Sequence, residues 1–240
     1  MPAGKAVVLA FDHGFEHGPV PYAGVDISPL RIQKIAEEGG ADALLVHKGV
    51  FHAMKKPRVP VIVKLTARTS MSPENTEMQE LVTEVEDALF LGADAVAVTV
   101  YIGAEREADM LANYRGVYHS CRQNGVPLVA FMYPRPKEHE DRTKEEYVRY
   151  AARVGAELDA DLIKTYYTGT RESWKRVVND SFRPVVAAGG KLKGSKEDVL
   201  RMAKDITAAG GAGIAIGRNV WTRPDGAKLL KKLVGIVHGK

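Results

Sequence analysis

The sequence has little cysteine: Cys121 is the only one among 240 residues. A single cysteine cannot form a disulfide within the chain, which excludes the small secreted proteins that disulfides hold together. Cys121 lies in an amphipathic helical pattern, and this pattern predicts a buried or half-buried structural thiol rather than a nucleophile. The scarcity of cysteine therefore indicates a reducing compartment.

Long apolar runs and clustered charges are also missing. No stretch approaches the ~20 apolar residues that a membrane-spanning helix requires. The first apolar run leads directly into Asp12 and His13 without the cleavage site of a signal peptide. The formal net charge is +4 and the basic residues are scattered, so no nucleic-acid-binding tract is present. These absences predict a cytoplasmic protein without membrane or nucleic-acid partners, and the mild positive charge suits a small anionic substrate.

Short apolar runs alternate with helical patterns from one end of the chain to the other. Most runs are continuously apolar, as is typical of parallel strands that are covered on both faces. Helical patterns at 77–92 and 144–158 separate some of them, and Gly92, Gly125 and Gly155 are predicted to end helices. The eight predicted strands are 6–12, 41–47, 59–65, 93–101, 126–133, 160–167, 183–189 and 212–217.

A recurring phrase marks the passage from helix to strand. It reads "GGADAL" at 39–44, "LGADAV" at 91–96 and "ELDADLI" at 157–163. Such recurrence predicts repeated βα units within one domain that spans residues 1–240. Eight βα units in a chain of this length predict an α/β fold, the (β/α)8 TIM barrel, with an open doubly wound sheet as the alternative.

Polar side chains are concentrated where the predicted strands end, which is where active sites lie in such barrels. The first strand ends in "FDHGFEHGP", which contains Asp12, His13, Glu16 and His17. His13 and His17 have a helical spacing that metal sites use, but the nearby glycines predict a loop. No further ligands complete a metal site, so we expect substrate contacts and neither a metal nor another cofactor. Other candidates at strand ends are Lys64, Tyr101, Tyr133, Arg135 and Lys164.

The seventh and eighth strands end in glycine and basic residues. "AAGGKLKGS" contains Ala188, Gly189, Gly190 and Lys191, and "IAIGRNVW" contains Gly217 and Arg218. Glycine allows backbone N–H groups to approach an anion closely, and phosphate sites in these barrels typically follow strands seven and eight. The pattern predicts a phosphate-binding site, although paired glycines can also serve only as a tight turn.

The stretch "ADLIKTYYTG" places Lys164 on an apolar strand. Burial disfavours the charged form of an amine, and a neutral amine can attack a carbonyl to form a Schiff base. Alternatively, Lys164 could be held in an internal salt bridge with Asp12 or Glu16. Lys64 lies on an apolar strand of the same kind, so the residues by themselves leave both lysines as candidates.

Five motifs together resemble the archaeal-type class I fructose-1,6-bisphosphate aldolases, over nearly the whole chain: "AFDHGFEHGP", "FMYPRP", "ADLIKTYYTG", "AAGGKLKG" and "IAIGRNVW". The resemblance implies a TIM barrel, metal-free Schiff-base chemistry on a phosphorylated sugar, and a cytoplasmic homo-oligomer, often a decamer. It also implies that Lys164 forms the imine, that Tyr133 transfers protons and that Asp12 is the active-site carboxylate. His13, His17 and Arg135, with the glycine loops, are then expected to contact the substrate.

Two positions depart from the family pattern. Phe131 stands where these aldolases often have tryptophan, and Ala188 stands where their phosphate loop usually has serine. Both departures fall on substrate contacts and leave the substrate open. The alternatives are a relative that makes an aminodideoxy-heptulosonate by a transaldol reaction, a thiolase of a phosphorylated autoinducer, and a sugar-phosphate-binding protein without catalysis.

Overall fold

The computed structural model describes residues 4–71, 77–136, 140–190 and 195–240. Its centre is a closed barrel of eight parallel strands in sequential order, in which the last strand pairs with the first. This confirms the predicted (β/α)8 barrel. The barrel strands are β1 (Ala6–Phe11), β2 (Ala43–Val46), β3 (Val61–Lys64), β4 (Ala95–Ile102), β5 (Leu128–Pro134), β6 (Leu162–Tyr166), β7 (Val185–Ala188) and β8 (Gly213–Ile216).

A helix follows each strand and packs on the outside of the barrel. Apolar side chains form two clusters, one between strands and helices and one inside the barrel, as the continuously apolar strands require. Short helices at His13–His17 and Arg218–Trp221 and a 3-10 turn at Val20–Tyr22 are added at the loops. The outer helices are α1 (Pro29–Gly39), α2 (Lys48–His52), α3 (Val85–Phe90), α4 (Glu107–Asn124), α5 (Glu145–Glu157), α6 (Arg171–Ser181), α7 (Lys196–Ala208) and α8 (Gly226–His238).

The recurring phrase has a structural purpose at the N-terminal end of the barrel. In each copy, the carboxylate of the aspartate before a strand accepts a hydrogen bond from the backbone N–H of a residue at the start of the preceding strand. The aspartate also donates its own backbone N–H to the carbonyl oxygen of that residue. We call these contacts the aspartate clamps. They join Asp42 to Val7, Asp94 to Val61 and Asp161 to Leu128, with carboxylate distances of 2.7, 2.8 and 2.8 Å. Each clamp fixes two consecutive strands to one another.

Three local predictions were wrong. The helical pattern at 77–92 forms a helix only over Val85–Phe90, because Glu80–Leu81 pairs with Thr66–Ala67 in a small antiparallel sheet. Gly155 lies inside α5 rather than at its end. Glycine is needed at this position because a Cβ there would lie 2.9 Å from the Cγ of Met132. The segment His13–His17 is a single helical turn, not an irregular loop.

Cys121 is fully buried on α4, as the pattern predicted, and burial raises the pKa of its thiol to about 11. A thiol of this kind is protonated at neutral pH and is a poor nucleophile. Within the described ranges, none of the helices combines the length and the apolar character needed to cross a membrane.

Candidate active site

A cavity of about 180 Å³ opens at the C-terminal end of the barrel. Because parallel strands all point the same way, the residues that end β1, β3, β4, β5 and β6 meet there. Ten of the candidate residues named from the sequence line this cavity, together with three others from the same strands. The lining consists of Asp12, His13, Glu16, His17, Lys64, Thr99, Tyr101, Phe131, Tyr133, Arg135, Lys164, Tyr166 and Arg218.

Lys164 lies on β6 beside Phe131 of β5, with which it pairs in register. Only 6% of the residue is exposed, and its Nζ lies 3.9 Å from the centre of the Phe131 ring. Burial lowers the pKa of the Lys164 amine to about 8; Asp12 opposes this shift and Lys64 adds to it. About a tenth of such an amine is uncharged at pH 7, which makes it available as a nucleophile.

Lys64, the second buried lysine, has a different environment. Its Nζ lies 3.1 Å from Asp12 Oδ2 and forms the close ion pair of the site. Both side chains are nearly buried, so their mutual attraction is little screened by water. The residues by themselves left both lysines open, and the family resemblance favoured Lys164. In the structure Lys64 pairs with the carboxylate, whereas Lys164 lies closer to the Phe131 ring, at 3.9 Å compared with 5.5 Å for Lys64.

Asp12 lies between several cations. Burial alone would raise the pKa of its carboxyl, but Lys64, Lys164 and the nearby histidines together lower this pKa well below its usual value. Asp12 is therefore ionised at neutral pH. His13 follows it directly, with Nδ1 3.6 Å from Asp12 Oδ1. Burial lowers the pKa of His13 to about 4, so that its imidazole is neutral at pH 7.

Tyr133 comes from the end of β5 and packs on a second tyrosine. Its ring stacks on that of Tyr166 with 4.5 Å between the ring centres. Burial, reinforced by Tyr166 and Asp12, raises the pKa of the Tyr133 hydroxyl well above 10. At neutral pH the phenol therefore carries its proton and acts as a hydrogen-bond donor.

Arg135 forms the side of the cavity near β4 and β5. Its Nε lies 2.8 Å from Glu77 Oε2, and its Nη1 donates to the Tyr166 hydroxyl at 3.2 Å. The guanidinium also lies over the ring of Tyr101, with 3.6 Å from Cζ to the ring centre. The Tyr101 hydroxyl in turn accepts a hydrogen bond from Gln79 at 2.8 Å. These contacts fix Arg135 in one orientation at the rim of the cavity.

The predicted phosphate loops follow β7 and β8. Of their described residues Arg218 lines the cavity, whereas Ala188, Gly189, Gly190 and Gly217 do not. Gly189 follows β7 and Ala188, and its carbonyl accepts a hydrogen bond from Asn219 at 3.1 Å, which ties the two loops together. Gly190 has a φ of 69°, a conformation that glycine adopts without strain. A Cβ at Gly217 would collide with the carbonyl oxygen of Ala10, so only glycine fits there.

Arg218 directly follows Gly217 and lines the cavity. The cavity therefore contains two arginines, Arg135 and Arg218, besides the two buried lysines. These four basic side chains suit an anionic substrate, and an arginine such as Arg218 can bind a phosphate. Lys191, which the sequence assigned to the same loop, lies outside the described residues.

Several residues of the site were not found from the sequence. Thr99 lines the cavity from β4, and His47 contacts the strand ends that carry the ion pair. Glu77 and Gln79 reach the site from a segment that was predicted to be helical. His47 ended a predicted strand and could have been found by the same rule as the others. Within the described ranges, no group of three or more His, Cys, Asp or Glu side chains could hold a metal ion.

The fold and the buried amine together define an aldolase of the Schiff-base type. The chain belongs to the DeoC/LacD family of aldolases, whose sequence profile matches residues 6–223. Fructose-bisphosphate aldolase class 1 of Thermoproteus tenax is 35% identical over 240 residues, which cover 98% of this chain and 90% of that protein. 2-Amino-3,7-dideoxy-D-threo-hept-6-ulosonate synthase 1 of Archaeoglobus fulgidus is 38% identical over 244 residues, which cover 100% and 88%.

A solved structure shows the same likeness. An archaeal fructose-1,6-bisphosphate aldolase, with its catalytic lysine covalently bound to the carbinolamine intermediate of the substrate, superposes with a TM-score of 0.94 at 33% identity. The match covers 99% of this chain and 96% of that chain. The resemblance seen in the sequence motifs is thereby confirmed at the level of the family. The relatives carry two different activities at similar identity.

Proposed function

We propose that this chain is a metal-independent aldolase that reversibly cleaves fructose 1,6-bisphosphate to glyceraldehyde 3-phosphate and dihydroxyacetone phosphate through an imine on Lys164. The observation that carries the proposal is the contrast between the two buried lysines. Lys64 is paired with Asp12 at 3.1 Å, whereas Lys164 lies on Phe131 with its pKa lowered to about 8. Lys164 therefore combines burial in the cavity with a substantial uncharged fraction.

The reaction follows from this amine. Neutral Lys164 attacks the C2 ketone of the sugar, and loss of water from the carbinolamine gives a protonated imine. The imine withdraws electrons from the C3–C4 bond while a base takes the proton of the C4 hydroxyl, and the aldehyde half leaves. The enamine that remains is protonated at C3, and hydrolysis of the imine releases dihydroxyacetone phosphate. The imine is the electron sink, so no metal is needed for this step.

Two further groups are assigned to the proton transfers. Tyr133 carries its proton at neutral pH and lies on the strand next to Lys164, which suits a group that protonates the enamine and recovers the proton in the reverse step. Asp12 is ionised and interacts with Lys164, which suits a group that stabilises the iminium and guides water to it. These roles match those that the family resemblance implies.

The two phosphates are assigned to the two arginines of the cavity. Gly189, Gly190 and Gly217 with Arg218 would bind the phosphate of the half that stays on Lys164. Arg135 and His17 would contact the other end of the sugar. We also propose, from the resemblance, that the chain acts as a cytoplasmic homo-oligomer, which light scattering of the purified protein would test.

A second candidate is the aminodideoxy-heptulosonate synthase reaction, in which the enamine is transferred to another aldehyde. One observation favours it: Glu77 already pairs with Arg135 at 2.8 Å, so this guanidinium is partly neutralised before a second phosphate could bind. A substrate with a single phosphate would leave that ion pair undisturbed. The 38% identity to the Archaeoglobus fulgidus synthase points the same way.

The experiment is borohydride reduction of the enzyme with fructose 1,6-bisphosphate, followed by peptide mass analysis, beside a cleavage assay in the presence of a metal chelator. We expect an adduct on the peptide that contains Lys164, cleavage that the chelator leaves unchanged, and neither in Lys164→Met. An adduct on Lys64 would contradict the assignment of the imine. Slow cleavage with rapid transfer to a second aldehyde would favour the synthase, and binding without any adduct would favour a sugar-phosphate-binding protein.

A further inference from the structure

His47 lies behind the active site rather than in it. It directly follows β2, only 8% of it is exposed, and the ring of Phe15 covers it with 5.0 Å between ring centres. Its Nδ1 lies 3.2 Å from the backbone carbonyl oxygen of Lys64. Val46, directly before it, pairs with Phe11 of β1 and Val63 of β3, so His47 stands between the residues that follow them, Asp12 and Lys64.

The two residues on either side of His47 are those that form the ion pair through their side chains. Lys64 Nζ and Asp12 Oδ2 are 3.1 Å apart, and this distance depends on where β1 and β3 end relative to one another. Burial lowers the pKa of His47 to about 4, and Lys64 lowers it further while Asp12 opposes the shift. The ring is therefore neutral at pH 7, and it acts on its neighbours through a hydrogen bond rather than through a charge.

We propose that His47 is a positioning residue that holds Asp12 on Lys64 and thereby keeps Asp12 from pairing with Lys164. The proposal rests on the imine chemistry proposed above. Asp12 interacts with both lysines, so loss of the Lys64 contact leaves Lys164 as its nearest remaining cation partner. A carboxylate that pairs with Lys164 favours the ammonium form and removes the nucleophile.

Three ionisable groups act on the Lys164 amine from the surrounding elements: Asp12 after β1, Lys64 on β3 and His13 on the turn after β1. His13 is neutral at pH 7, so the balance between Asp12 and Lys64 determines how much Lys164 is uncharged. His47 contacts the backbone of Lys64 and stands beside Asp12.

The test is His47→Phe, which preserves a planar ring and removes the hydrogen bond to the Lys64 carbonyl, compared with His52→Phe on the exposed end of α2. The measurement is the pH dependence of borohydride trapping at Lys164 with fructose 1,6-bisphosphate. We expect the midpoint to move to higher pH by roughly 1–2 units in His47→Phe, as an opposite charge near an amine produces. The control is expected to keep the wild-type midpoint.

A double-mutant cycle separates positioning from a general loss of stability. Without the Lys64 ammonium there is no ion pair for His47 to maintain, so His47→Phe is expected to add no further shift in a Lys64→Met background. His47→Asn, which places an amide close to the position of Nδ1, is expected to recover most of the wild-type midpoint. If His47→Phe does not fold, His47→Ala takes its place in the cycle.

Each result is decisive. A wild-type enzyme that forms no adduct would overturn both this proposal and the proposed function. A wild-type adduct with an unshifted midpoint in the folded His47 variant would overturn this proposal alone. If the shifts of the midpoint caused by His47→Phe and Lys64→Met add in the double variant, this proposal is also overturned, because His47 would then act independently of the ion pair.

Discussion

Replacing Lys64 with methionine tests the electrostatics of the active site directly. Methionine keeps an unbranched apolar side chain and removes the ammonium that lies 3.1 Å from Asp12. Two influences on Lys164 then change together. The repulsion from Lys64, which lowers the pKa of Lys164, disappears, and Asp12, which raises that pKa, loses its competing partner. Both changes raise the pKa of Lys164.

The size of the effect follows from the starting pKa. With a pKa of about 8, roughly one Lys164 amine in ten is uncharged at pH 7, compared with about one in three thousand for the ordinary value of 10.5. An opposite charge within ~4–6 Å shifts a pKa by roughly 1–3 units. We therefore expect the rate of imine trapping at pH 7 to fall at least about tenfold in Lys64→Met.

The assay is the initial rate of adduct formation with borohydride at several pH values, read from the intact protein mass. Because the defect lies in the protonation of Lys164, raising the pH by roughly 2 units should restore most of the rate. A rate that stays low at every pH would show that Lys64 acts in another way, for example by binding the substrate. A rate at pH 7 equal to that of the wild type would refute the electrostatic reasoning.

Three further changes have defined outcomes. Tyr133→Phe should still form the trapped imine but lower turnover roughly 10²–10⁴-fold, as loss of a general acid–base group does, and a near-wild-type rate would move proton transfer to another group. Gly190→Ala and Gly40→Ala both place a side chain at a φ close to 69° with open space around it, so their losses of stability should be similar. Only Gly190→Ala should weaken inhibition by inorganic phosphate, and equal phosphate inhibition in both variants would place the phosphate elsewhere. Asp94→Ala removes the acceptor of the Val61 N–H and should lower the free energy of unfolding in urea by roughly 1.5–3 kcal/mol while the pH dependence of trapping stays unchanged.

The barrel could be predicted from the sequence because parallel strands that are buried on both faces are continuously apolar. This pattern can be recognised without knowing which strands pair with one another. Each continuously apolar run became a strand, and the strand ends differed by only a few residues. The strand predicted at 41–47 is Ala43–Val46; Asp42 before it forms a clamp with Val7, and His47 after it contacts the Lys64 carbonyl. The local pattern identified the element, and tertiary contacts fixed its limits.

The segment 77–84 shows where local pattern fails. Its apolar spacing suits a helix, but Glu80–Leu81 hydrogen-bonds to Thr66–Ala67, a pairing between segments that are far apart in sequence. Glu77 and Gln79 were missed for the same reason, since they reach Arg135 and Tyr101 only once this small sheet has formed. Tertiary pairing outweighed helical propensity here.

The residues of the active site could be predicted from the sequence, but which of them form an ion pair could not. Asp12, Lys64 and Lys164 stood at strand ends in the sequence, and barrel geometry brings strand ends together. Which lysine pairs with the Asp12 carboxylate depends on how far β1 and β3 extend relative to one another, to within about an ångström. No spacing along the chain encodes that distance. The pairing of Asp12 with Lys64 therefore required the structure.

The aspartate clamps also determine where the chain could be cut without loss of the barrel. Each clamp spans 35, 33 or 33 residues and joins the two members of one strand pair, β1 with β2, β3 with β4, or β5 with β6. A circular permutant opened between β2 and β3 keeps every clamp within an unbroken stretch of sequence, whereas one opened between β3 and β4 separates Asp94 from Val61. The first six strands are thus divided into modules of two, and their tolerance of new termini should alternate from one loop to the next.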